Sequence, residues 1–124
     1  MARLLVIDDE GDIRHLYAAE LEDEGYEVVT AGDSSTAMAL LGRQSFDLVI
    51  LDIQLDQESG LELLQTIARQ KESLPVILCT AFNTYRDDFS SWLAEAYVVK
   101  SSNLEELKHE VKHVLARHSQ GKTS

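Results

Sequence analysis

The chain has 124 residues and a formal net charge of −11, with 22 acidic against 11 basic side chains. This length predicts one domain with a sizeable core, and the acidity argues against nucleic acids and anionic membranes as ligands. The single Cys79 excludes an internal disulfide and a cysteine-rich zinc site. Because neither a signal peptide nor a membrane-spanning apolar stretch is recognisable, we expect a cytoplasmic location.

Five short apolar runs predict β-strands. They are rich in Val, Ile and Leu and mostly lack alternation, which is typical of strands covered on both faces. In chain order the runs are Leu4–Ile7, Tyr26–Thr30, Leu48–Leu51, Val76–Cys79 and Tyr97–Val99.

Segments with helical spacing follow each run. The first carries Ile13, Leu16, Tyr17 and Leu21 and ends before Gly25, and the second begins at a cap formed by Asp33 or Ser34. The others are 61–68, the poorly patterned Asn83–Leu93, and 104–115 with a cap at Ser102 or Asn103.

The alternation of strand and helix predicts the fold class. Five repeats of the alternation indicate an α/β fold, in which a five-stranded parallel sheet carries helices on both faces. We expect the domain to span 1–118 and to be followed by a flexible polar tail over 119–124.

Polar side chains follow four of the five runs. They are Asp8, Asp9 and Glu10 after the first run, Asp52 after the third, Thr80 after the fourth and Lys100 after the fifth. Each residue alone is ordinary in a turn or helix cap. Together they predict a site, because ligands bind at the carboxyl ends of strands in open α/β sheets.

Clustered carboxylates of this kind suit a hard cation. Mg²⁺ (or Mn²⁺) takes one or two protein carboxylates and keeps several waters, so we expect Asp8 and Asp9, together with Asp52, to hold the ion. Such a site also suits phosphoryl chemistry, with Asp52 as a nucleophile that forms an aspartyl phosphate. Lys100 would then pair with the phosphoryl group and Thr80 would donate a hydrogen bond to it.

Four sequence pieces resemble the receiver (phosphoacceptor) domain of two-component response regulators. These pieces are LLVIDDE, FDLVILDIQL…SGLELL, PVILCTA and AYVVK, and they occur in the family's order and spacing over about residues 3–117. The resemblance implies a flavodoxin-like doubly wound sheet of order 2-1-3-4-5. It also implies phosphoryl transfer to Asp52 from the phosphohistidine of a sensor histidine kinase or histidine phosphotransfer protein.

The resemblance further implies roles for the individual site residues. Asp8 and Asp9 match the family's metal-binding acids, and the backbone carbonyl of Gln54 would complete the protein ligands. Lys100 matches the lysine of the family pattern.

Thr80 and Tyr97 match the family's switch pair. Phosphorylation adds negative charge, so Thr80 can move toward the phosphoryl group and leave space for Tyr97. The readout would be a protein-interaction face for a downstream output protein or domain. We expect a monomer or weak dimer that catalyses its own phosphorylation and dephosphorylation, without turnover of an external substrate.

Three positions depart from the family pattern. Ser101 follows Lys100 where many receivers have proline, Asp56 adds a charge near the metal rim, and Leu93 replaces a common glycine. None of them belongs to the phosphorylation set.

Three other interpretations remain open at this point. A degenerate receiver would act only as a protein-binding module. A magnesium-dependent aspartyl phosphatase of the haloacid dehalogenase type generally needs a second aspartate where this chain has Gln54. A flavodoxin-like electron carrier binds a phosphate in its first loop, and Asp8, Asp9 and Glu10 would repel that phosphate.

Overall fold

The computed structural model describes residues 1–55, 58–71, 73–80, 93–100 and 104–121. Along this part of the chain strands and helices follow one another in a regular order. They are β1 (Arg3–Ile7), α1 (Gly11–Asp23), β2 (Glu27–Ala31), α2 (Ser34–Arg43), β3 (Leu48–Asp52), β4 (Gln54–Leu55), β5 (Glu58–Ser59), α3 (Gly60–Gln70), β6 (Val76–Thr80), β7 (Ala96–Val99) and α4 (Glu105–Gly121).

The main sheet has five parallel strands in the order β2-β1-β3-β6-β7. Counting only the strands of this sheet, the order is 2-1-3-4-5, which confirms the predicted fold class. Each predicted strand is present within one residue of its predicted bounds. The strand β2 is shifted by one residue to Glu27–Ala31, and β3 and β6 extend one residue further than predicted, to Asp52 and Thr80. The short antiparallel pair of β4 and β5 was not predicted, because two-residue strands leave no periodic pattern.

The sheet is buried on both faces, which explains the unbroken apolar runs. Leu4 and Val6 of β1 pack with α1 and α4, whereas Leu5 and Ile7 pack with α2 and α3. Successive strand residues point to opposite faces. Every position of the central strands therefore needs an apolar side chain until the strand ends.

The helix boundaries largely agree with the sequence signals. Asp33 caps α2, because its Oδ1 accepts a hydrogen bond from the backbone N–H of Thr36 at 2.7 Å. After α1 the chain turns at Gly25, whose φ of 98° lies in the left-handed region that favours glycine. Leu16 is 45% exposed, so its place in the apolar stripe was predicted wrongly. It lies about 100° around the helix from the buried Tyr17.

Some sequence predictions concern residues that lie outside the described part of the chain. Of the predicted helix Asn83–Leu93 only Leu93 is described, and the caps Ser102 and Asn103 also lie outside the described residues. The helix α4 continues to Gly121, which is past the predicted start of the tail at 119. The division into a domain over 1–118 and a tail over 119–124 stays a prediction. No helix of the described ranges has the length and apolarity needed to span a membrane.

Candidate functional site

The carboxyl edge of the sheet brings the predicted residues together. Asp8 directly follows β1, Asp52 ends β3, Thr80 ends β6 and Lys100 directly follows β7. The parallel register sets Asp52 beside Cys79, and Thr80 beside Val99. Four strands thus deliver their terminal side chains to one edge, as the alternating pattern predicted.

Lys100 joins two buried carboxylates. Its Nζ donates hydrogen bonds to Asp8 Oδ2 at 2.7 Å and to Asp52 Oδ2 at 3.0 Å. The side chains of Asp8, Asp52 and Lys100 are 3%, 6% and 14% exposed. Burial alone lowers the pKa of Lys100, but the hydrogen bonds and charges of the two aspartates outweigh burial and raise the pKa above its usual range. The ammonium group is therefore charged at neutral pH.

Asp8 is held by its backbone as well as by its side chain. Its N–H donates to the carbonyl of Ala31 at 3.1 Å, and its carbonyl accepts from Arg14 Nη1 at 2.6 Å. Its Oδ1 accepts from the backbone N–H of Glu10 at 2.9 Å. The loop that carries the three acids is consequently ordered around Asp8.

The acidic loop fits a divalent cation. Asp8, Asp9 and Glu10 each offer a carboxylate oxygen, and these oxygens lie within 4.8 Å of one another. An all-oxygen donor set is the one that Mg²⁺ prefers. Gln54 lies in β4, opposite Ser59. The ligand roles of Asp8, Asp9, Asp52 and Gln54 stay predictions.

Thr80 and Tyr97 share one face of the sheet. Tyr97 is paired with Leu78 across β6 and β7 and packs half-buried against the core under α2 and α3. Thr80 lies two residues beyond Leu78 and therefore points to the same face. Thr80 is buried, and its carbonyl accepts a hydrogen bond from the backbone N–H of Lys100 at 2.6 Å.

Gly60 is a site residue that the sequence reasoning missed. It begins α3, and a Cβ atom there would overlap the carbonyl oxygen of Asp52 and lie 2.8 Å from Cα and O of Ile53. Only glycine lets α3 start this close to the end of β3. The signal was a glycine directly before the apolar stripe, within the SGLELL piece.

A buried pair also lies beneath the site on its α1 side. The hydroxyl of Tyr17 is 3.4 Å from Cys79 Sγ, next to Thr80 in sequence. Burial, together with the neighbouring Cys79, raises the pKa of Tyr17, and burial raises the pKa of Cys79 to about 11. Both groups are therefore uncharged at neutral pH.

The chain belongs to the response regulator receiver domain family, whose model matches residues 4–112. Among solved structures it is similar to response regulator TrrA of Thermotoga maritima in complex with Mg²⁺-BeF. The two are 47% identical with a TM-score of 0.89, over 92% of this chain and 99% of that one. A CheY-like receiver domain protein of Methanospirillum hungatei has 28% identity and a TM-score of 0.91, with 98% of each chain covered.

A similar match involves a kinase complex. The chain is 48% identical to a chain in the structure of histidine kinase ThkA with TrrA, with a TM-score of 0.87. The match covers 93% of this chain and 99% of that one.

The curated relatives are longer proteins. The chain is 35% identical over 116 residues to the probable transcriptional regulatory protein TcrX of Mycobacterium tuberculosis. This match covers 92% of this chain and 50% of TcrX. It is 37% identical over 108 residues to the alginate biosynthesis transcriptional regulatory protein AlgB of Pseudomonas aeruginosa. That match covers 86% of this chain and 24% of AlgB. The chain therefore spans half or less of these proteins.

Proposed function

We propose that this receiver is a phosphorylation switch in which Asp52 accepts a phosphoryl group from a phosphohistidine of a sensor histidine kinase or phosphotransfer protein. The observation that carries the proposal is the buried bridge Asp8–Lys100–Asp52 beside the acidic loop. A structural ion pair would not need the two further carboxylates, Asp9 and Glu10, that lie beside Asp8. An acceptor for a multiply charged phosphoryl group needs both a nucleophilic carboxylate and cations to neutralise the transferred oxygens.

In the transfer step a carboxylate oxygen of Asp52 forms the new bond to phosphorus. The bond between phosphorus and the donor's imidazole nitrogen breaks, and the imidazole keeps that electron pair. Asp8 and Asp9, with the carbonyl of Gln54, would hold Mg²⁺, which supplies positive charge to the transferred oxygens when it is bound. Lys100 is within reach of Asp52 and would pair with one of those oxygens.

The solved structures of TrrA support this assignment through the ligand and the partner protein that they contain. TrrA was solved with Mg²⁺-BeF and also with the histidine kinase ThkA. Beryllofluoride is a mimic of an acyl phosphate, so a similar site in this chain is suited to the same chemistry. A histidine kinase is accordingly the partner that we propose for it.

The switch pair would transmit the change. We propose that Thr80 donates a hydrogen bond to the phosphoryl group and that Tyr97 turns into the space that Thr80 leaves, since both lie on one face of the sheet. The rearranged surface would then bind a downstream output protein or domain. We expect no turnover of an external substrate and no direct binding of nucleic acid.

The test is the intact mass of the chain after incubation with acetyl phosphate, with and without Mg²⁺. We expect a Mg²⁺-dependent gain of one phosphoryl group that is lost in Asp52→Asn. Asp47→Asn is the matched control, because Asp47 precedes the same strand β3 at its opposite end. This variant should be phosphorylated like the wild type.

A wild-type chain that binds Mg²⁺ but gains no mass would contradict the proposal, provided that beryllofluoride also fails to bind. That result would favour the degenerate, protein-binding receiver. Beryllofluoride binding without a mass gain would instead indicate a short-lived phosphoryl group at the same site.

A further inference from the structure

Arg14 connects helix α1 to the acidic loop through two backbone carbonyls. Its backbone N–H donates to the carbonyl of Glu10 at 3.0 Å, within the first turn of α1. Its guanidinium Nη1 donates to the carbonyl of Asp8 at 2.6 Å. The same residue therefore contacts the chain on both sides of Asp9.

The guanidinium group occupies a space that Gly32 leaves open. A Cβ atom at Gly32, in the β2–α2 turn, would lie 2.9 Å from Arg14 Nη1, and a Cβ atom at Gly11 would lie 3.6 Å from Nη2. Gly32 does not have a positive φ, so its backbone conformation does not itself require glycine. The space that Gly32 leaves is filled by Arg14.

We infer that Arg14 is a positioning residue, which holds the Asp8–Glu10 loop against the β2–α2 turn in the geometry that binds the divalent cation. This inference deepens the proposed function and rests on it. Arg14 would not touch the ion or the phosphoryl group. It would act through the backbone of Asp8, whose side chain also bonds Lys100.

The physical reason is the mutual repulsion of the acids. Asp8, Asp9 and Glu10 bring their carboxylates close together, so their repulsion opposes the loop geometry in which they could share one cation. The bond from Nη1 to a backbone carbonyl restrains the loop without neutralising a ligand carboxylate. Groups that orient metal ligands from behind typically change metal affinity by about 10–100-fold when they are removed.

The test is a double-mutant cycle of Gly32→Ala and Arg14→Ala, read as the Mg²⁺ dissociation constant by titration calorimetry. Gly32→Ala changes no charge, and its methyl group would displace the guanidinium. We expect it to weaken Mg²⁺ binding by about tenfold in the wild-type background. In the Arg14→Ala background the same change should alter binding by less than about twofold.

The cycle separates the effect of the guanidinium position on Mg²⁺ binding from the effect of the Arg14 charge. Removal of the Arg14 charge affects both Arg14→Ala proteins equally, so it cancels from the coupling between the two sites. Arg14→Lys is a second variant that keeps the charge but not the planar fork, and we expect it to bind Mg²⁺ more weakly than the wild type. Gly42→Ala is the control, because a Cβ atom there meets nothing within 4 Å. It should leave the dissociation constant unchanged.

Two results would overturn the inference about Arg14. One is wild-type Mg²⁺ affinity in Gly32→Ala, and the other is an equal loss in both backgrounds. If the cycle is coupled and Asp52 is nevertheless not phosphorylated, the proposed function fails while the role of Arg14 stands. If the wild-type chain binds no Mg²⁺, both fail.

Discussion

The two edges of the sheet carry similar charged residues in opposite surroundings. At the amino edge Arg3 forms an ion pair with Glu27, and these side chains are 38% and 49% exposed. At the carboxyl edge Lys100 pairs with Asp8 and Asp52, and neither carboxylate is more than 6% exposed. Even β3 is flanked by an aspartate at each end, Asp47 before it and Asp52 at its close.

The comparison shows that burial rather than charge distinguishes the carboxyl edge. An exposed ion pair gains little, because water screens both charges. A buried cluster keeps strong interactions but depends on every partner, because a lone buried charge is costly. Matched substitutions at the two edges test this difference.

The largest expected effect is at Lys100. We expect Lys100→Met, measured by urea unfolding in EDTA at about pH 7, to lower the free energy of unfolding by about 3–5 kcal/mol, because two buried carboxylates lose their cation. Arg3→Met should cost at most about 1 kcal/mol. Mg²⁺ should restore part of the loss at Lys100 but none at Arg3. Equal losses at the two edges would contradict the comparison.

The stability contributed by Lys100 should stay constant across neutral and mildly alkaline pH. Because the pKa of Lys100 is raised in the folded protein, its contribution is fully present below its ordinary pKa of about 10.4 and is lost as the pH rises through the raised value. The difference between Lys100→Met and the wild type should thus be the same at about pH 7 and about pH 9.

A smaller effect is expected for Gly60. Gly60→Ala should lower the free energy of unfolding by about 1–3 kcal/mol, since the methyl group meets the backbone of Asp52 and Ile53. Gly42→Ala, in α2 near the amino edge, should be neutral or raise stability by up to about 1 kcal/mol. Urea unfolding of the two variants checks both values. A neutral Gly60→Ala would mean that α3 can move away from Asp52.

The smallest effect is expected for Tyr17. At neutral pH Tyr17→Phe should cost about 1 kcal/mol, because the buried contact with Cys79 is lost. The pKa of Tyr17 is raised in the folded state, so above about pH 10 the unfolded chain ionises first and the wild type loses stability.

The free energy of unfolding of the wild type and of Tyr17→Phe, measured from about pH 8 to about pH 11, tests this expectation. The loss of stability should be shallower in Tyr17→Phe than in the wild type. Tyr26→Phe is the counterpart at the amino edge. Tyr26 is only half-buried, so that substitution should change the pH dependence less. A steeper loss in Tyr17→Phe would contradict the burial of this hydroxyl.

The sequence was sufficient to predict the sheet and the edge at which its polar strand-end residues meet. Strands buried on both faces leave apolar runs, and the first polar residue after such a run marks the strand end. Asp8 and Lys100 were found in this way. The contacts of Arg14 and Gly60 could not be predicted from the sequence, because they depend on how closely two segments approach one another. An arginine one turn into a helix and a glycine at the start of a helix are common, and the sequence does not show which segment lies against them.

The bridge at Lys100 also has a consequence for biosynthesis. Lys100 is 92 residues from Asp8 and 48 from Asp52 in sequence, and it follows β7, the last strand of the five-stranded sheet in chain order. Contacts between such distant segments form late, after the intervening chain has been made and folded. A nascent chain that has emerged only as far as β6 carries the acidic loop and Asp52 but not their ammonium partner. Competence to receive a signal would thus arise only when the sheet is complete.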